Sequence, residues 1–287
     1  MNKLRIKDFE FDWGSRTYVM GILNITPDSF SGDGLADQNL ETILQQARRF
    51  VEAGVDILDV GGESTRPGAK QISEDEELSR VLPVIQALAA EFDTLISIDT
   101  YKSTVGNHAL EAGASIINDV WGFLVDPDLA EVAQEAGVPA ILMHNRSNPN
   151  NAAIKEKLGG RYIGVEYDDL LEDVKTELLE SVAVAHQAGI PDEHIVLDPG
   201  IGFGKTVEQN LELVNRLDDI RALGYPVLLG PSRKSFIGYT LDLPPDERVE
   251  GTAAAIAVGI TRGADIVRVH DVEQMIRTAR MTDAIVR

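Results

Sequence analysis

Short apolar runs alternate with amphipathic stretches along the whole of this 287-residue chain. The runs are rich in β-branched and aliphatic residues, as expected of parallel strands that are covered on both faces. Several amphipathic stretches end at glycine before the next run, as in Glu52-Ala53-Gly54 and Arg262-Gly263, which is the C-cap signal of αβ units. The predicted strands are YVMGILNIT ending near Thr26, VDILDVGG from Val55, LISIDT from Leu95, SIINDV from Ser115, PAILMH from Pro139, IVLDPG from Ile195, YPVLLGPS from Tyr225 and ADIVRVH from Ala264. The predicted helices lie near residues 39–53, 73–91, 102–112, 127–136, 167–188, 206–223, 246–262 and 271–286.

Eight predicted strands, each followed by a predicted helix, favour an α/β fold of the TIM (β/α)8 barrel type. No low-complexity linker or block of charge divides the sequence, so we expect a single domain over residues 1–287. Residues 3–16 are expected to form a hairpin that closes the bottom of the barrel.

Composition and charge narrow the possible partners. The sequence contains no cysteine, which excludes disulfides and thiolate metal sites and fits a reducing compartment. It shows no apolar signal region near residue 1 and no run approaching the ~18 apolar residues of a membrane span, so we expect a cytoplasmic protein. A net charge of −21 repels nucleic-acid phosphate and anionic lipid, and we expect neither as a partner. An anionic substrate therefore needs a locally positive site.

Polar residues interrupt the apolar runs at their C-terminal ends, where barrels of this type place their active sites. Any one of these residues could simply cap a helix or form a turn. Arg268 and His270 are two residues apart, so they project to the same side of the last strand, although Arg268 could instead pair with one of the many carboxylates. The coincidence of so many polar ends predicts a site for a flat hydrogen-bonding ligand and a phosphate. These residues are Asn24, Thr65, Arg66, Asp99, Asn118, Asp198, Lys234, Arg268 and His270.

The stretch IVLDPGIGFGKT, from Ile195 to Thr206, changes from a strand to a glycine-rich loop and then to a helix. This order places Asp198 at the C-terminal end of a strand, followed by glycines that allow a backbone to approach a ligand closely. Asp-Pro-Gly could also be only a tight turn. A phosphate-binding P-loop is excluded, because its pattern requires glycine at position 199, where Pro199 stands.

Seven motifs in order resemble dihydropteroate synthase from one end of the chain to the other. They are ILNITPDSF, GGESTRPGA, SIDTYKS, IINDV, LDPGIGFGKT, GPSRKSFIG and RVHDV. The resemblance implies a TIM barrel that condenses 6-hydroxymethyl-7,8-dihydropterin pyrophosphate with p-aminobenzoate and releases pyrophosphate in folate biosynthesis. It also implies that the protein belongs to a class of sulfonamide targets.

The resemblance also implies roles for individual residues. Asp99, Asn118 and Asp198 would hold the pterin, with Lys234 at its carbonyl side, and Asn24 would ligate Mg²⁺ on the pyrophosphate. The implied pyrophosphate contacts are Arg66, Arg268 and His270, and the implied aminobenzoate contacts are Pro67, Phe203, Lys234 and Ser235. Thr65, Met143 and Gly230 complete the implied substrate site, and Asp33, Asp99, Lys234 and Arg268 form its implied catalytic set.

The chemistry of the residues agrees with these roles. A dihydropterin presents adjacent ring and amino N–H donors, and an ionised carboxylate such as that of Asp198 can accept both. Pyrophosphate leaves readily once Mg²⁺ and nearby cations neutralise its charge. The pterin then delocalises positive charge and an aromatic amine can attack, so no nucleophilic side chain is required.

Two stretches depart from the usual pattern of the family. Ser31-Gly32-Asp33-Gly34 replaces the common order Ser-Asp-Gly-Gly, which makes a catalytic role for Asp33 less secure than the role of Asn24. Residues 145–165 replace the usual Gly-Thr-Pro-like sequence and carry only weak structure signals. We expect a mobile loop there, and a second mobile loop from Asn24 that orders only around pyrophosphate and Mg²⁺.

Two alternative functions share the barrel. A pterin-dependent methyltransferase would keep the pterin-binding carboxylates and the asparagine but would not need Arg268, His270 or the SRKS sequence. A non-catalytic pterin-binding homologue would be expected to have lost Asn24, Thr65 and Arg66, which are present.

The helix from Ala253, AAAIAVGI, is apolar around most of its circumference and must be buried in the fold or at an interface. We expect a homodimer, because the family is commonly dimeric.

Overall fold

The computed structural model describes residues 3–25, 40–65, 69–148, 152–155, 157–163 and 165–287. Within them lie twelve strands and ten α-helices. The strands are β1 (Leu4–Ile6), β2 (Phe9–Phe11), β3 (Tyr18–Asn24), β4 (Ile57–Gly61), β5 (Leu95–Asp99), β6 (Ile116–Asp119), β7 (Ala140–Met143), β8 (Ala152–Lys155), β9 (Gly159–Tyr162), β10 (Ile195–Asp198), β11 (Leu228–Leu229) and β12 (Ile266–Val269). The helices are α1 (Leu40–Ala53), α2 (Glu74–Glu91), α3 (Ser103–Glu111), α4 (Asp128–Ala136), α5 (Leu170–Ala188), α6 (Val207–Asn215), α7 (Leu217–Arg221), α8 (Ser235–Leu241), α9 (Val249–Thr261) and α10 (Val272–Val286), with single 3-10 turns at Asp192–His194 and Pro245–Glu247.

Eight parallel strands form a barrel, which confirms the predicted TIM fold. Their order in the sheet is β10-β7-β6-β5-β4-β3-β12-β11. A parallel bridge between Leu197 and Val227 joins the two ends of this order and closes the barrel. The eight predicted strands all form, and the C-terminal ends of all eight face the same end of the barrel, which we call the mouth.

The predicted N-terminal hairpin also forms. β1 and β2 pair in antiparallel fashion, with Leu4 opposite Phe11. Leu4, Ile6 and Phe11 pack in one buried cluster with the first inward-facing residues of the barrel strands, including Tyr18 and Met20. The hairpin therefore closes the barrel at the end opposite the mouth.

The helices follow the sequence pattern with two differences. The stretch predicted as one helix over 206–223 is two helices, α6 and α7, which meet at Arg216, where φ and ψ are −116° and 30°. Helix α8 was not predicted, because its seven residues lie directly after the seventh barrel strand and are too few to show a helical period. No helix in the described ranges is both long and apolar enough to span a bilayer.

The predicted loops are partly described. The segment 26–39, which includes most of the first predicted mobile loop, lies outside the described residues. The second, 145–165, contains the antiparallel hairpin β8–β9, in which Ala152 pairs with Tyr162 and Lys155 with Gly159. The weak sequence signals did not reveal this hairpin, and the expected mobility of the segment stays a prediction. Within the described residues the two strands of this hairpin pair with each other and not with the barrel, so they carry no pattern of burial on a sheet face that the sequence could reveal.

Candidate active site

A ring of polar side chains replaces the apolar lining of the barrel near the mouth. The lower inward-facing residues are apolar, among them Met20, Ile57 and Leu95. Side chains alternate across a strand, so the residues two positions further along face inward as well. These positions hold a polar layer made of Asp59, Ser97, Asn118, Asp198 and Arg268, together with Ile22, Met143 and Gly230.

Arg268 joins two carboxylates of this end of the barrel. Its guanidinium donates to Asp59 Oδ2 at 2.6 Å and also to Asp99 Oδ2. Burial alone would lower the pKa of Arg268, but the carboxylates of Asp59 and Asp99 outweigh it, and the pKa rises. Burial raises the pKa of Asp99 to about 7, although Arg268 opposes the shift. The ion pair that the sequence left open for Arg268 is therefore present.

Asp198 and Lys234 approach Arg268 in front of Gly230. A Cβ atom added to Gly230 would lie 3.8 Å from Arg268 Cβ, 3.9 Å from Lys234 Nζ and 4.0 Å from Asp198 Oδ2. Glycine therefore leaves a small space that three functional groups surround. Burial raises the pKa of Asp198, against the attraction of Lys234, and lowers the pKa of Lys234 to about 8.

The glycine loop, Pro199 to Lys205, shapes one wall of the site. Asp198 Oδ1 accepts from the Gly200 amide at 2.7 Å, which leaves Oδ2 directed to the space in front of Gly230. Gly200 has φ +69°, and a Cβ atom there would lie 1.8 Å from the His144 carbonyl oxygen, so only glycine fits. Lys234 donates to the Ile201 carbonyl and its Nζ lies 4.6 Å from the centre of the Phe203 ring. The loop thus brings an aromatic ring beside the lysine.

His270 and Asn24 lie on the opposite wall. His270 Nδ1 is 3.0 Å from Ser232 Oγ, and its Nε2 is 3.5 Å from the amide nitrogen of Asn24. Arg233 forms a two-bond ion pair with Asp271 at 2.6 and 2.9 Å, directly before α10 begins. These contacts hold the end of β12 and the start of α10 at the edge of the mouth.

An open cleft lies above the polar layer. Its walls come from six barrel loops and from the β8–β9 hairpin. The lining residues are Asn24, Glu63, Ser64, Thr65, Asp99, Leu158, Gly159, Gly160, Tyr162, Gly202, Phe203, Ser232, Arg233, Lys234, Ser235, Pro245, Arg248, Arg268 and His270.

The structure brings most of the predicted site residues to this region. Asn24, Thr65, Asp99, Phe203, Lys234, Ser235, Arg268 and His270 line the cleft. Asn118, Met143 and Asp198 are buried at the ends of their strands beneath it, and Gly230 follows β11. Asp33, Arg66 and Pro67 lie outside the described residues, so their predicted roles remain predictions.

Several residues at the mouth were missed from the sequence, among them Asp59, Lys205 and Arg248. Asp59 is fully buried in the middle of a strand, and its Oδ1 has no hydrogen-bond partner among the described residues. Lys205 is buried under the glycine loop, where Nζ contacts the carbonyls of Gly200 and Phe203, each at 3.0 Å, and burial lowers its pKa to about 7. Arg248 is buried beside the cleft, and its guanidinium donates to the carbonyl oxygens of Arg233, Leu243 and Leu158.

Comparison with known proteins assigns this site to a family. The family described as pterin binding enzyme matches residues 20–270. The dihydropteroate synthase of Clostridium beijerinckii is 52% identical over 285 residues, which cover 99% of this chain and 100% of that protein. The chain belongs to the dihydropteroate synthase family.

Solved structures of the dihydropteroate synthase family share the fold. The Clostridium difficile enzyme, solved in the presence of pteroic acid, is 48% identical with a TM-score of 0.86, over 96% of this chain and 99% of that one. The Yersinia pestis enzyme, solved with a sulfonamide drug, is 39% identical with a TM-score of 0.89, over 99% and 98% of the two chains. The resemblance read from the motifs is thereby confirmed.

Proposed function

We propose that the mouth of this barrel joins 6-hydroxymethyl-7,8-dihydropterin pyrophosphate to p-aminobenzoate, forming 7,8-dihydropteroate and pyrophosphate. The observation that carries this assignment is the meeting of Asp198, Lys234 and Arg268 in front of Gly230. A carboxylate and two cations at one point suit a substrate that has N–H donors at one end and an anionic group at the other.

Asp198 is proposed to recognise the pterin ring. Its Oδ2 faces the space in front of Gly230 and can accept from the ring and amino N–H groups of a dihydropterin. Asn118 and Asp99 end adjacent strands in register, and both would supply further polar contacts to the edge of the ring. Met143, buried and paired in register with Asp198, supplies an apolar contact.

The leaving group is proposed to lie toward Arg268 and His270. The bond between the pterin methylene carbon and oxygen breaks, and its electron pair leaves on pyrophosphate. The amine nitrogen of p-aminobenzoate supplies the electron pair of the new carbon–nitrogen bond and loses one proton to solvent. Arg268, His270 and the backbone N–H groups at the start of α10 would stabilise the charge that develops on the pyrophosphate.

A magnesium ion is proposed on the pyrophosphate, held by Asn24. Among the described residues, no group of three or more His, Asp and Glu side chains could hold a metal by itself. Mg²⁺ commonly takes one or two protein ligands together with substrate phosphate oxygens and waters, and the amide oxygen of Asn24 fits such a site. When bound, the ion would neutralise charge on the leaving pyrophosphate. Asp33 is proposed as a further member of the catalytic set.

The arylamine is proposed to lie against Phe203 and Lys234, near Ser235. The aromatic ring of Phe203 faces the cleft, and the ammonium of Lys234 lies over it. Pro67 would complete this subsite, and Arg66 would complete the pyrophosphate subsite. Because the related Yersinia pestis enzyme was solved with a sulfonamide drug, we propose that sulfonamides compete for this subsite here as well.

We propose that the protein is a homodimer and that it is located in the cytoplasm. Val258 on α9 and Met281 and Ile285 on α10 expose 41%, 64% and 70% of their surfaces, and the two helices pack side by side. Large apolar side chains on adjacent helices support a protein interface. The absence of cysteine supports a reducing compartment. Light scattering of the purified protein tests the dimer.

The function is tested by pyrophosphate release from the dihydropterin pyrophosphate, measured with and without p-aminobenzoate. We expect release that depends on p-aminobenzoate, with 7,8-dihydropteroate formed in equal amount. No dependence on p-aminobenzoate, or release without the pteroate product, would rule out this function.

A further inference from the structure

The β8–β9 hairpin stands at the mouth of the barrel, directly beside the cleft. It lies between β7 and α5 and contributes Leu158, Gly159, Gly160 and Tyr162 to the cleft wall. No role for this segment follows from the motifs, which lie on other loops.

The hairpin is docked on α8 and on the segment that follows it. The guanidinium of Arg161 lies 4.7 Å and the ammonium of Lys155 lies 5.0 Å from the centre of the Tyr239 ring. Lys157 forms an exposed ion pair with Asp242 at 2.5 Å. Contacts along both strands and at the turn hold the hairpin against the barrel, so that its cleft-facing side is placed by the fold.

Tyr162 connects the hairpin to two other walls of the cleft. Its side chain is buried, with a relative exposure of 6%. Its hydroxyl donates to the Thr65 carbonyl at 2.8 Å, on the loop after β4. Its ring stacks on Phe203 of the glycine loop, with ring centres 6.3 Å apart and planes inclined by 29°. One side chain therefore links three segments around the aromatic end of the cleft.

Arg248 lines the same cleft as this aromatic pair and brings a positive charge to it. It is 2% exposed and donates to the carbonyls of Arg233, Leu243 and Leu158, the last at 2.9 Å at the tip of the hairpin. No carboxylate in the described part of the chain forms an ion pair with it. Its charge is met by carbonyl dipoles and not by a direct carboxylate partner, and it favours an anionic group in the cleft of a protein whose net charge is −21.

We propose that Tyr162 forms a wall of the arylamine subsite and sets the size of the amine that the subsite accepts. A flat aromatic carboxylate would pack beside the stacked pair of Tyr162 and Phe203, with its charge toward Arg248, and the Tyr162 hydroxyl holds the Thr65 loop in place. Aromatic packing of this kind discriminates by shape, because the faces of rings pack on each other closely. The inference rests on the proposed condensation and deepens it.

The test compares Tyr162→Ala with Tyr162→Phe in steady-state kinetics. Removal of the ring should raise the KM for p-aminobenzoate roughly tenfold, the loss expected for an aromatic wall, while pterin affinity measured by calorimetry stays within about twofold. In Tyr162→Ala the affinity for a sulfonamide with a bulky N1 substituent should fall less than the affinity for sulfanilamide, because the subsite is larger. Tyr162→Phe keeps the ring and should raise the KM for p-aminobenzoate by less than about threefold. A higher KM for p-aminobenzoate with an unchanged pterin affinity is a result that general destabilisation does not produce.

Lys157→Ala is the matched control, because it changes the same hairpin at its turn, and its ion pair with Asp242 is too exposed to contribute appreciably to docking, so both KM values should be unchanged. If Tyr162→Ala does not fold, Tyr162→Leu replaces it and should raise the KM for p-aminobenzoate in the same direction. An unchanged KM for p-aminobenzoate, or equal changes for both substrates in a folded variant, would overturn the assignment of Tyr162. Absence of any p-aminobenzoate-dependent turnover in the unaltered protein would instead overturn the proposed function, and this inference with it.

Discussion

The guanidinium of Arg268 on β12 donates to Asp59 on β4 at a distance of 2.6 Å, across the single strand that separates them in the barrel. The same guanidinium also pairs with Asp99 on β5. Two carboxylates thus share one cation at the mouth. They already partly neutralise the charge of Arg268, which is the charge proposed to bind pyrophosphate. Arg268 both holds the polar layer together and faces the cleft.

Arg268→Ala should consequently have two effects. Removing the cation leaves Asp59 and Asp99 without a partner, and breaking a buried ion pair costs about 3–5 kcal/mol of unfolding free energy. Loss of the contact with pyrophosphate should weaken binding of the dihydropterin pyrophosphate at least about tenfold. Calorimetry with a pterin that lacks pyrophosphate separates the two effects, since we expect a clearly smaller loss for that ligand. Equal losses for both would mean that Arg268 acts on the pocket as a whole and not on the pyrophosphate.

Lys234 gives the reaction a predicted alkaline limit. Burial lowers its pKa from the usual range to about 8, so the free enzyme loses the ammonium as the pH rises through 8. Because the proposed role of Lys234 requires its charged form, kcat/KM for the pterin substrate should be about half its plateau near pH 8 and approach a tenfold fall per pH unit above about pH 9. Lys234→Arg keeps its charge to a much higher pH and should remove this decline even if its activity is lower. A flat profile up to pH 9.5 in the unaltered protein would contradict the assignment.

The sequence predicted the barrel and the ends of its strands well, because those ends are where apolar runs stop. It could not predict Asp59. Parallel barrel strands are buried on both faces, so nothing in VDILDVGG shows which alternate residues face the interior. Ile57 and Asp59 are two residues apart, and the burial of Ile57 with the N-terminal hairpin reveals only in the structure that both point inward.

Tyr162 and Arg248 escaped prediction for a different reason. Both act through contacts between segments that are distant in sequence, with Thr65 at a separation of 97 residues and Leu158 at a separation of 90. No local spacing encodes such contacts. The glycine loop, by contrast, was recognisable, because its glycines and the strand and helix that flank it are contiguous.

Asn24 is expected to determine the magnesium requirement. Removal of the metal with a chelator should abolish turnover, and added Mg²⁺ should restore it. Asn24→Ala should raise the magnesium concentration for half-maximal activity at least about fivefold, since it removes the protein's oxygen ligand. Asn24→Asp keeps an oxygen at the same position and serves as the matched variant, with a requirement no higher than that of the unaltered protein. Superimposable magnesium titrations for Asn24→Ala and the unaltered protein would exclude metal ligation by this residue.

The recognition of the pterin ring by Asp198 is tested most directly by calorimetry of a pterin without pyrophosphate, on the unaltered protein, Asp198→Ala and Asp198→Asn. Each charged hydrogen bond contributes about 1.5–3 kcal/mol, so both variants should bind at least about tenfold more weakly. Thermal unfolding of each variant establishes that the barrel is intact. A folded Asp198→Ala that binds the pterin as tightly as the unaltered protein would contradict the account, because the ring would then be held elsewhere.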